Sequence, residues 1–288
     1  MRRVAFRVTT QNHQLDLFAA SNGPEGPSSA HLRIATWNVN GVRAREKQVA
    51  DWIASAEAPD VICLQELKAE ATQVPASLCA LEGYHCYWHG GKGYSGVGLL
   101  VRTSAFREAP VFTHPDFDFE HRIVTATADG LTVASIYVPN GGKDFEAKMR
   151  FLEALDGWVA AERAAGRSII LCGDINVTRA DIDVHPKERA GNKPVIGQLP
   201  EERALFQRIL SRGLVDVARH LRPDDDAMFT WWPPWRQMRQ RNIGWRIDYI
   251  LASDDLLGGL VGCTIRADYG TSDHCPVVAE FAYPSPAS

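Results

Sequence analysis

The sequence predicts an α/β fold in which two β-sheets pack face to face with helices on the outside. Short apolar segments of strand length recur along most of the chain, and segments with helical periodicity lie between them. Hydrophobic residues make up 45% of the 288 positions, which is enough to fill a sizeable core. Many short strands interrupted by helices are typical of stacked sheets with an outer helical layer.

The strand candidates are short apolar segments that begin near residue 32. In chain order they are Leu32–Thr36, Val61–Leu64, Val97–Val101, Ile123–Ala128, Thr132–Val138, Ser168–Cys172, Arg246–Leu251 and Pro276–Phe281. Helices are predicted where apolar residues return every three or four positions. These segments are Lys47–Ala56, Lys148–Ala164 and Glu201–Leu210.

The composition is that of an ordinary soluble protein. Charged residues make up 23% of the chain and the net charge is −4, which argues against a protein that coats nucleic acid but permits a local basic groove. No run of 18 apolar residues is present, so no membrane span is expected. The six cysteines form no CxxC pair, which predicts free thiols in a reducing compartment. Because the first residues lack a signal-peptide apolar region, we expect a cytoplasmic protein.

The first 31 residues differ from the rest of the chain. The segment Ser21–Ser29 is rich in glycine, proline and serine, which is typical of a flexible linker. We therefore predict a flexible tail over residues 1–31 and one folded domain over residues 32–283.

Polar side chains follow the predicted strands at the points where those strands end. They are Asn38, Asn40, Gln65, Glu66, Asn140, Asp174 and Asn176, with Asp273 and His274 just ahead of the last strand. Strand ends are often polar only because they are solvated, but that explains one or two residues and not so many acids and amides. Gathered at one rim of the sandwich, these side chains would form a site.

The residue types at these strand ends suit a hard divalent cation. Carboxylates and amides, without cysteine or clustered histidine among them, favour Mg²⁺ or Mn²⁺ over zinc. Glu66 is the main ligand candidate, and Asn38, Asn40 and Asp273 could complete a loose shell that keeps waters. A glutamate taken alone is by default a solvated surface residue, so the hypothesis depends on the whole set.

Two further pairs suit acid–base work on a phosphate ester. Asp174 and Asn176 lie two residues apart, so on an extended segment both would point the same way and hold a water together. The alternative is an Asx-turn that closes the strand. Asp248 lies in an apolar segment and needs a buried partner. His274 is one candidate, whose imidazolium the pairing would favour, and Arg246 is the other.

These residues fall in ordered blocks that resemble the exonuclease III type of abasic endonuclease, within the exonuclease/endonuclease/phosphatase superfamily. The blocks are Thr36–Ala44, Leu64–Lys68, Gly93–Gly98, Tyr137–Gly141, Gly173–Val177, Gly244–Tyr249 and Ser272–Val277. The resemblance runs from about Leu32 to Phe281, and blocks in a fixed order are far more specific than any single motif. It implies a four-layer αββα sandwich of two mixed sheets, the DNase I-like fold, for residues 32–283.

The resemblance also implies a role for each residue at the strand ends. Glu66, with Asn40 and Asp273, would hold the metal. Asp174 would activate the water or protonate the leaving group, and Asn176 would position that water. Both of these also count among the candidate metal ligands. Some relatives carry aspartate where Asn40 stands, and a neutral amide is a weaker Mg²⁺ ligand.

Four other residues complete the catalytic set that the resemblance implies. Tyr137 would lie by the leaving oxygen. His274, held by Asp248, would bind the scissile phosphate, and Asn38 would brace the network.

The segment Phe229–Arg246 indicates that the substrate is DNA. It contains four arginines, no acidic residue and four of the eight tryptophans, which is typical of a loop that follows phosphates and stacks on bases. By resemblance, Trp231, Trp245 and Ile247 would form an apolar pocket for an extruded abasic sugar. The alternative is that some of these tryptophans are core residues. Further predicted DNA contacts are Lys92, Tyr94, Asn140, Lys143, Trp235, Arg239 and Arg241.

The resemblance implies a Mg²⁺-dependent DNA-repair phosphodiesterase that cuts double-stranded DNA 5′ to abasic sites and leaves a 3′-hydroxyl. A 3′–5′ exonuclease or 3′-phosphodiesterase activity would accompany it. One alternative is a protein that is mainly a 3′–5′ exodeoxyribonuclease. The other is an idle damage-binding module, against which the presence of Glu66, Asp174 and His274 argues.

One motif of the tail is left unexplained by catalysis. Gln14, Leu15, Asp16, Leu17 and Phe18 resemble the short peptide by which bacterial replication and repair proteins bind the DNA sliding clamp. A tail followed by a flexible linker could present such a peptide without disturbing the enzyme. The alternative is that its apolar side chains pack on the body of the protein.

Overall fold

A computed structural model of the protein describes residues 31–79 and 81–283. The strands are β1 (His31–Asn38), β2 (Val61–Gln65), β3 (Tyr84–His89), β4 (Val97–Arg102), β5 (Val111–Thr113), β6 (Ile123–Ala128), β7 (Leu131–Tyr137), β8 (Ser168–Asp174), β9 (Leu214–Asp216), β10 (Asp248–Ser253), β11 (Leu260–Ile265) and β12 (Val277–Ala282). The helices are α1 (Glu46–Ile53), α2 (Ala76–Cys79), α3 (Phe145–Ala164), α4 (Pro200–Leu210) and α5 (Val217–Leu221).

The strands form two six-stranded sheets. The first has the order β11-β12-β1-β2-β4-β3 and the second β5-β6-β7-β8-β10-β9. In the first sheet β1 and β2 are parallel, and in the second β7 and β8 are parallel, while the other paired strands run antiparallel. The prediction of two mixed sheets packed face to face is therefore confirmed.

The alternation of side chains along the central strands creates the four layers. Cys63 of β2 and Cys172 of β8 point into the core between the sheets. Their neighbours point outward, so Leu64 packs under α1 and Leu171 packs under α3 and α4. Both faces of each sheet are thus covered, as the continuous apolar runs at these strands indicate.

Four strands were not predicted, and each of them is an edge strand of its sheet. β3 and β11 lack a clean alternation of buried and exposed residues, and β5 and β9 have three residues each. The predicted strand Arg246–Leu251 begins two residues late, at Asp248. Arg246 donates its N–H to the Asp183 carbonyl instead of to a neighbouring strand.

The register of the central strands brings the polar strand ends to one rim. Asn38 lies opposite Gln65 in the first sheet. In the second sheet Asp174 lies opposite both Tyr137 and Asp248. One rim of the sandwich therefore collects side chains from both sheets.

Two further points concern membrane-spanning helices and the tail. No helix in residues 31–79 or 81–283 is long and apolar enough to cross a membrane. The predicted clamp-binding peptide, Gln14–Phe18, and the rest of the tail up to residue 30 lie outside the described residues.

Candidate active site

The two sheets are joined at this rim by Asn38. Its side chain is fully buried. Its Nδ2 donates to Asp174 Oδ2 at 2.9 Å, and its Oδ1 accepts from the backbone N–H of Asn40 at 3.0 Å. Both ends of the amide are used in this way, so Asn38 links the end of β1 to the end of β8.

Asp174 and Asn176 lie on a tight turn after β8. Asp174 Oδ1 accepts from the Asn176 N–H at 2.9 Å, and Asn176 has a φ of 55°. The prediction that both point the same way along an extended segment is therefore wrong, because the Asx-turn forms instead. The turn still serves the site, because both side chains line the same cavity. Asn176 Nδ2 is fixed there by donating to the Val138 carbonyl at 2.9 Å.

His274 is the buried partner of Asp248. Its Nδ1 lies 2.9 Å from Asp248 Oδ2, and its Nε2 lies 3.9 Å from Asp174 Oδ2. All three side chains are buried. The alternative partner of Asp248, Arg246, is engaged elsewhere by Asp183 and Asp216 in a buried network.

Burial and charge together set the protonation of this cluster. Burial alone would lower the pKa of His274, but the carboxylates of Asp248, Asp174 and Asp273 outweigh it and raise that pKa to about 10. His274 is therefore an imidazolium at neutral pH. Burial raises the pKa of Asp174, and the positive charge of His274 opposes that rise. An acid whose pKa is shifted toward neutrality suits proton transfer.

Oxygen ligands for a cation gather beside this cluster. Asn40 Nδ2 donates to Asp273 Oδ1 at 2.7 Å, while Lys68 Nζ contacts both Asn40 Oδ1 at 2.6 Å and Glu66 Oε1 at 2.8 Å. Burial would raise the pKa of Asp273, but the positive charge of His274 and the hydrogen bonds that Asn40 and Trp231 donate to Asp273 lower that pKa below its usual range. Oxygens of Glu66 and Asn40 already hold one cation, the Lys68 ammonium, and together with the Asp273 carboxylate they fit a hard cation such as Mg²⁺ or Mn²⁺.

Tyr137 faces this group from the end of β7. Burial raises the pKa of Tyr137, and the carboxylates of Glu66 and Asp174 raise it further, so its hydroxyl remains a donor. The guanidinium of Arg122 stacks over the Tyr137 ring at 5.0 Å. Neither Arg122 nor Lys68 was predicted as a site residue, because the sequence analysis looked for acids, amides and histidines at the strand ends and not for cations that contact them.

A cavity of about 290 Å³ opens beside these groups. Its apolar wall is formed by Trp231, Trp245, Ile247 and Ile196, of which only Ile196 was not predicted. The two indole rings meet edge to face with centroids 5.4 Å apart. Trp231 Nε1 also donates to Asp273 Oδ2 at 3.0 Å, which ties the apolar wall to the acidic group.

The remaining predicted DNA contacts divide into surface and structural residues. Tyr94 is 59% exposed and Trp235 is 57% exposed. Exposed polar and basic side chains are Lys92, Asn140, Lys143 and Arg241. Arg239 needs a correction, because its guanidinium stacks on Trp232 at 4.9 Å and donates to the carbonyls of Ala267, Tyr269 and Ser272. Trp232 is a core residue, as the alternative reading of the tryptophans allowed.

Comparison with known proteins finds nucleases and phosphatases among the relatives of this chain. The Endonuclease/Exonuclease/phosphatase family matches residues 35–274. The zebrafish (Danio rerio) DNA repair nuclease APEX1 is 35% identical over 86% of this chain and 82% of its own length. An exodeoxyribonuclease of Bacillus subtilis is 35% identical over 85% of this chain and 98% of its own. The structure of the 3′ phosphatase NExo from Neisseria, bound to a product DNA hairpin, superposes with a TM-score of 0.79 at 33% identity, and the match covers 88% of this chain and all of that one.

The two-sheet sandwich, with acids, amides and an imidazolium at one rim, defines a hydrolase of the nuclease type. The chain belongs to the Endonuclease/Exonuclease/phosphatase family. Within that family it is an exonuclease III-like DNA-repair nuclease, as its relatives named as exodeoxyribonucleases and as a DNA repair nuclease show.

Proposed function

We propose that the protein incises duplex DNA 5′ to abasic sites with Mg²⁺ as cofactor and leaves a 3′-hydroxyl. The observation that carries the proposal is the cavity walled by Trp231, Trp245 and Ile247 directly beside His274 and Asp174. A flipped deoxyribose without a base can enter such an apolar cavity. The edge-to-face contact of the two indoles leaves no gap in which a base could stack between them.

The chemistry follows from the positions of the polar groups. His274, held by Asp248, presents Nε2 and a positive charge to the scissile phosphate. Asp174 takes the proton of the attacking water, which Asn176 orients. The Tyr137 hydroxyl donates to the departing oxygen. Bound Mg²⁺ would neutralise phosphate charge and polarise the bond to be cut.

Glu66, Asp273 and Asn40 are the residues that would hold the metal. Asn40 links them, because its Nδ2 donates to Asp273 Oδ1, while its Oδ1 and Glu66 Oε1 both contact the Lys68 ammonium. Asn176 and Asp174 face the same cavity and could add oxygen ligands.

Exposed basic and aromatic residues would bind the duplex. They are Lys92, Tyr94, Lys143, Trp235 and Arg241, and the last two belong to the same tryptophan- and arginine-rich segment as Trp231 and Trp245 of the cavity wall. Basic and aromatic side chains in this arrangement bind phosphates and stack on bases.

A second candidate is 3′-end processing at the same site. The solved relatives named as a 3′–5′ exonuclease and a 3′ phosphatase favour it. Removing a nucleotide or a phosphate from a 3′ end uses the same water, imidazolium and metal, and differs in what occupies the cavity.

The test uses three labelled duplexes. One carries an internal tetrahydrofuran abasic analogue, one a recessed 3′ end and one a 3′-phosphate. We expect Mg²⁺-dependent incision of the first to exceed digestion of the second, with Ca²⁺ as the inactive control ion. If only the 3′ ends were processed, the second candidate would replace the first, and cleavage of none would leave a damage-binding module.

A separate proposal concerns the tail, and it is supported only by the residues of its motif. We propose that Gln14–Phe18 binds the bacterial sliding clamp, in the cytoplasm where replication takes place. A labelled peptide over residues 12–20 would be titrated with clamp beside a version with Gln14, Leu17 and Phe18 changed to alanine. Equal, millimolar-or-weaker binding by both peptides would refute it.

A further inference from the structure

A group of histidines lies outside the site described above. His89 lies against His114, His121 and the carboxylate of Asp118, and we call these four residues the histidine cluster. The rings of His89 and His114 stack at 4.6 Å, those of His89 and His121 meet edge to face at 4.8 Å, and His89 Nε2 contacts Asp118 Oδ2 at 2.6 Å. Three of the nine histidines of the chain are therefore collected at one point.

The fold brings these residues together from separate elements. His89 ends β3 of the first sheet, whereas His114 follows β5 of the second sheet and Asp118 lies in the β5–β6 loop. The Asp118 side chain is 8% exposed and that of His89 is 14% exposed. Asp118 Oδ1 accepts from the N–H groups of Arg122 and Ile123, which fixes the carboxylate with Oδ2 toward the imidazoles.

If these residues served only to hold the β3–β4 loop to the β5–β6 loop, the contact between His89 and Asp118 would be enough. The cluster has more than that, because one ligand atom each of His89, His114 and Asp118 lies within 4.8 Å of the others. The backbone also lies close, since a Cβ at Gly91 would come within 2.9 Å of His121 Nδ1. The surplus imidazoles are what a metal site would require.

The chemistry of the cluster differs from that of the catalytic group. Imidazole nitrogens with one carboxylate suit Zn²⁺ and its transition-metal neighbours, whereas the oxygen ligands at the catalytic rim suit Mg²⁺. Burial would raise the pKa of Asp118, but hydrogen bonds from His89 and from two backbone amides lower it, so this ligand is ionised.

We propose that His89, His114 and Asp118 bind one transition-metal dication of the Zn²⁺ type, with His121 or water as the fourth ligand. Ligand atoms around a tetrahedral Zn²⁺ lie roughly 3.3 Å apart, so the 2.6 Å contact between His89 Nε2 and Asp118 Oδ2 must open to admit the ion, and a ring nitrogen of His114 must turn toward the same point. His114 and His121 are exposed and can rotate to meet the ion without moving the backbone. His89 and Asp118 are already neighbours and form the less exposed half of the site.

Such an ion would fasten two loops that meet beside the active site. The β3–β4 loop carries Lys92 and Tyr94, and it already contacts the β5–β6 loop through a hydrogen bond from the Ser95 hydroxyl to the Glu120 carbonyl. The β5–β6 loop ends at Arg122, which stacks on Tyr137. Bound Zn²⁺ would cross-link both loops and stabilise the folded protein.

The test measures how many Zn²⁺ ions the full-length protein binds. Chelator-treated protein is titrated with Zn²⁺ against a chromophoric chelator, in excess Mg²⁺ so that the oxygen ligands of the catalytic rim are occupied. We expect one Zn²⁺ per chain that Mg²⁺ does not displace. At a hundredfold excess over its Kd, Zn²⁺ should raise the Tm by several degrees.

Two variants locate that ion. His114→Asn removes an exposed ligand and should keep the fold but lose the Zn²⁺ equivalent and the rise in Tm. His220→Asn removes an exposed histidine at a distant position on α5 and should keep both. The proposal is overturned if the wild-type protein binds no Zn²⁺ in excess Mg²⁺, or if His114→Asn retains the equivalent in a folded protein.

Discussion

The ion pair between Lys148 and Glu202 offers a sharp test of what holds the active site in place. Both side chains are fully buried behind the site, Lys148 on α3 and Glu202 on α4. Lys148 Nζ donates to the carbonyls of Asn176 at 2.8 Å and Asn140 at 3.3 Å. Glu202 accepts from the N–H of Gly197 at 2.7 Å. One buried pair therefore fixes three loop segments that line the cavity.

Lys148→Met keeps most of the side-chain volume but leaves the Glu202 charge buried without its partner. Removing one partner of a buried pair costs about 3–5 kcal/mol. For a domain of this size that is a fall in Tm on the order of 10 °C. Because the Asn176 carbonyl also loses its donor, we expect kcat for abasic incision to fall at least about tenfold under conditions where the variant is folded.

The double variant Lys148→Met with Glu202→Gln separates charge from packing. The second substitution keeps an acceptor for the backbone amides but removes the charge, so at least half of the lost stability should return. Urea unfolding with a constant m-value measures both variants, and Lys47→Met in the exposed pair with Asp51 is the matched control, expected to leave the urea midpoint unchanged. If the double variant is less stable than Lys148→Met, the charge argument is wrong.

Further predictions concern the catalytic and DNA-binding groups. Glu66→Gln should lower incision by several orders of magnitude and raise the Mg²⁺ concentration it needs, and near wild-type activity at millimolar Mg²⁺ would contradict its role as a ligand. Asp174→Asn should lower kcat by roughly 10²–10⁴-fold while the Kd for DNA changes far less, and a proportional loss of both would make it a binding residue. Trp245→Ala should harm abasic incision more than digestion of undamaged 3′ ends, whereas equal losses would indicate a core role. Replacing Arg236 and Arg241 together, the two exposed arginines of the segment Phe229–Arg246, should flatten the log–log salt dependence of binding by about one to two units, and an unchanged slope would exclude them from DNA contact.

Much of the site could be predicted because its residues follow apolar strands. Asn38, Asp174 and Asp248 end or begin central strands, so the strand pattern also places them at one rim. The sequence left the orientation of Asn176 open between an extended segment and an Asx-turn, because the turn after Asp174 depends on one side-chain hydrogen bond. Arg239 was misjudged, because the sequence shows its charge but not the four backbone carbonyls that accept its hydrogen bonds.

The parts that escaped prediction depend on contacts between distant segments. β3 and β11 carry no clear alternation, since each is half-buried along its length. His89 and His114 come from different sheets, and only the stacking of those sheets brings them together. Lys68 and Arg122 reach the site through long side chains, and periodicity does not report where such side chains end.

The pairing of β1 with β12 has a consequence for biosynthesis. His31 lies opposite Ala282, so the first and last strands of the described residues are neighbours in the middle of one sheet. During translation the first sheet cannot close until residues 277–282 have left the ribosome, and the loop from Ser272 to His274 cannot reach Asn38 and Asp248 before then. A nascent chain therefore has no competent nuclease centre, and unfinished polypeptides released by stalled ribosomes would not nick the chromosome.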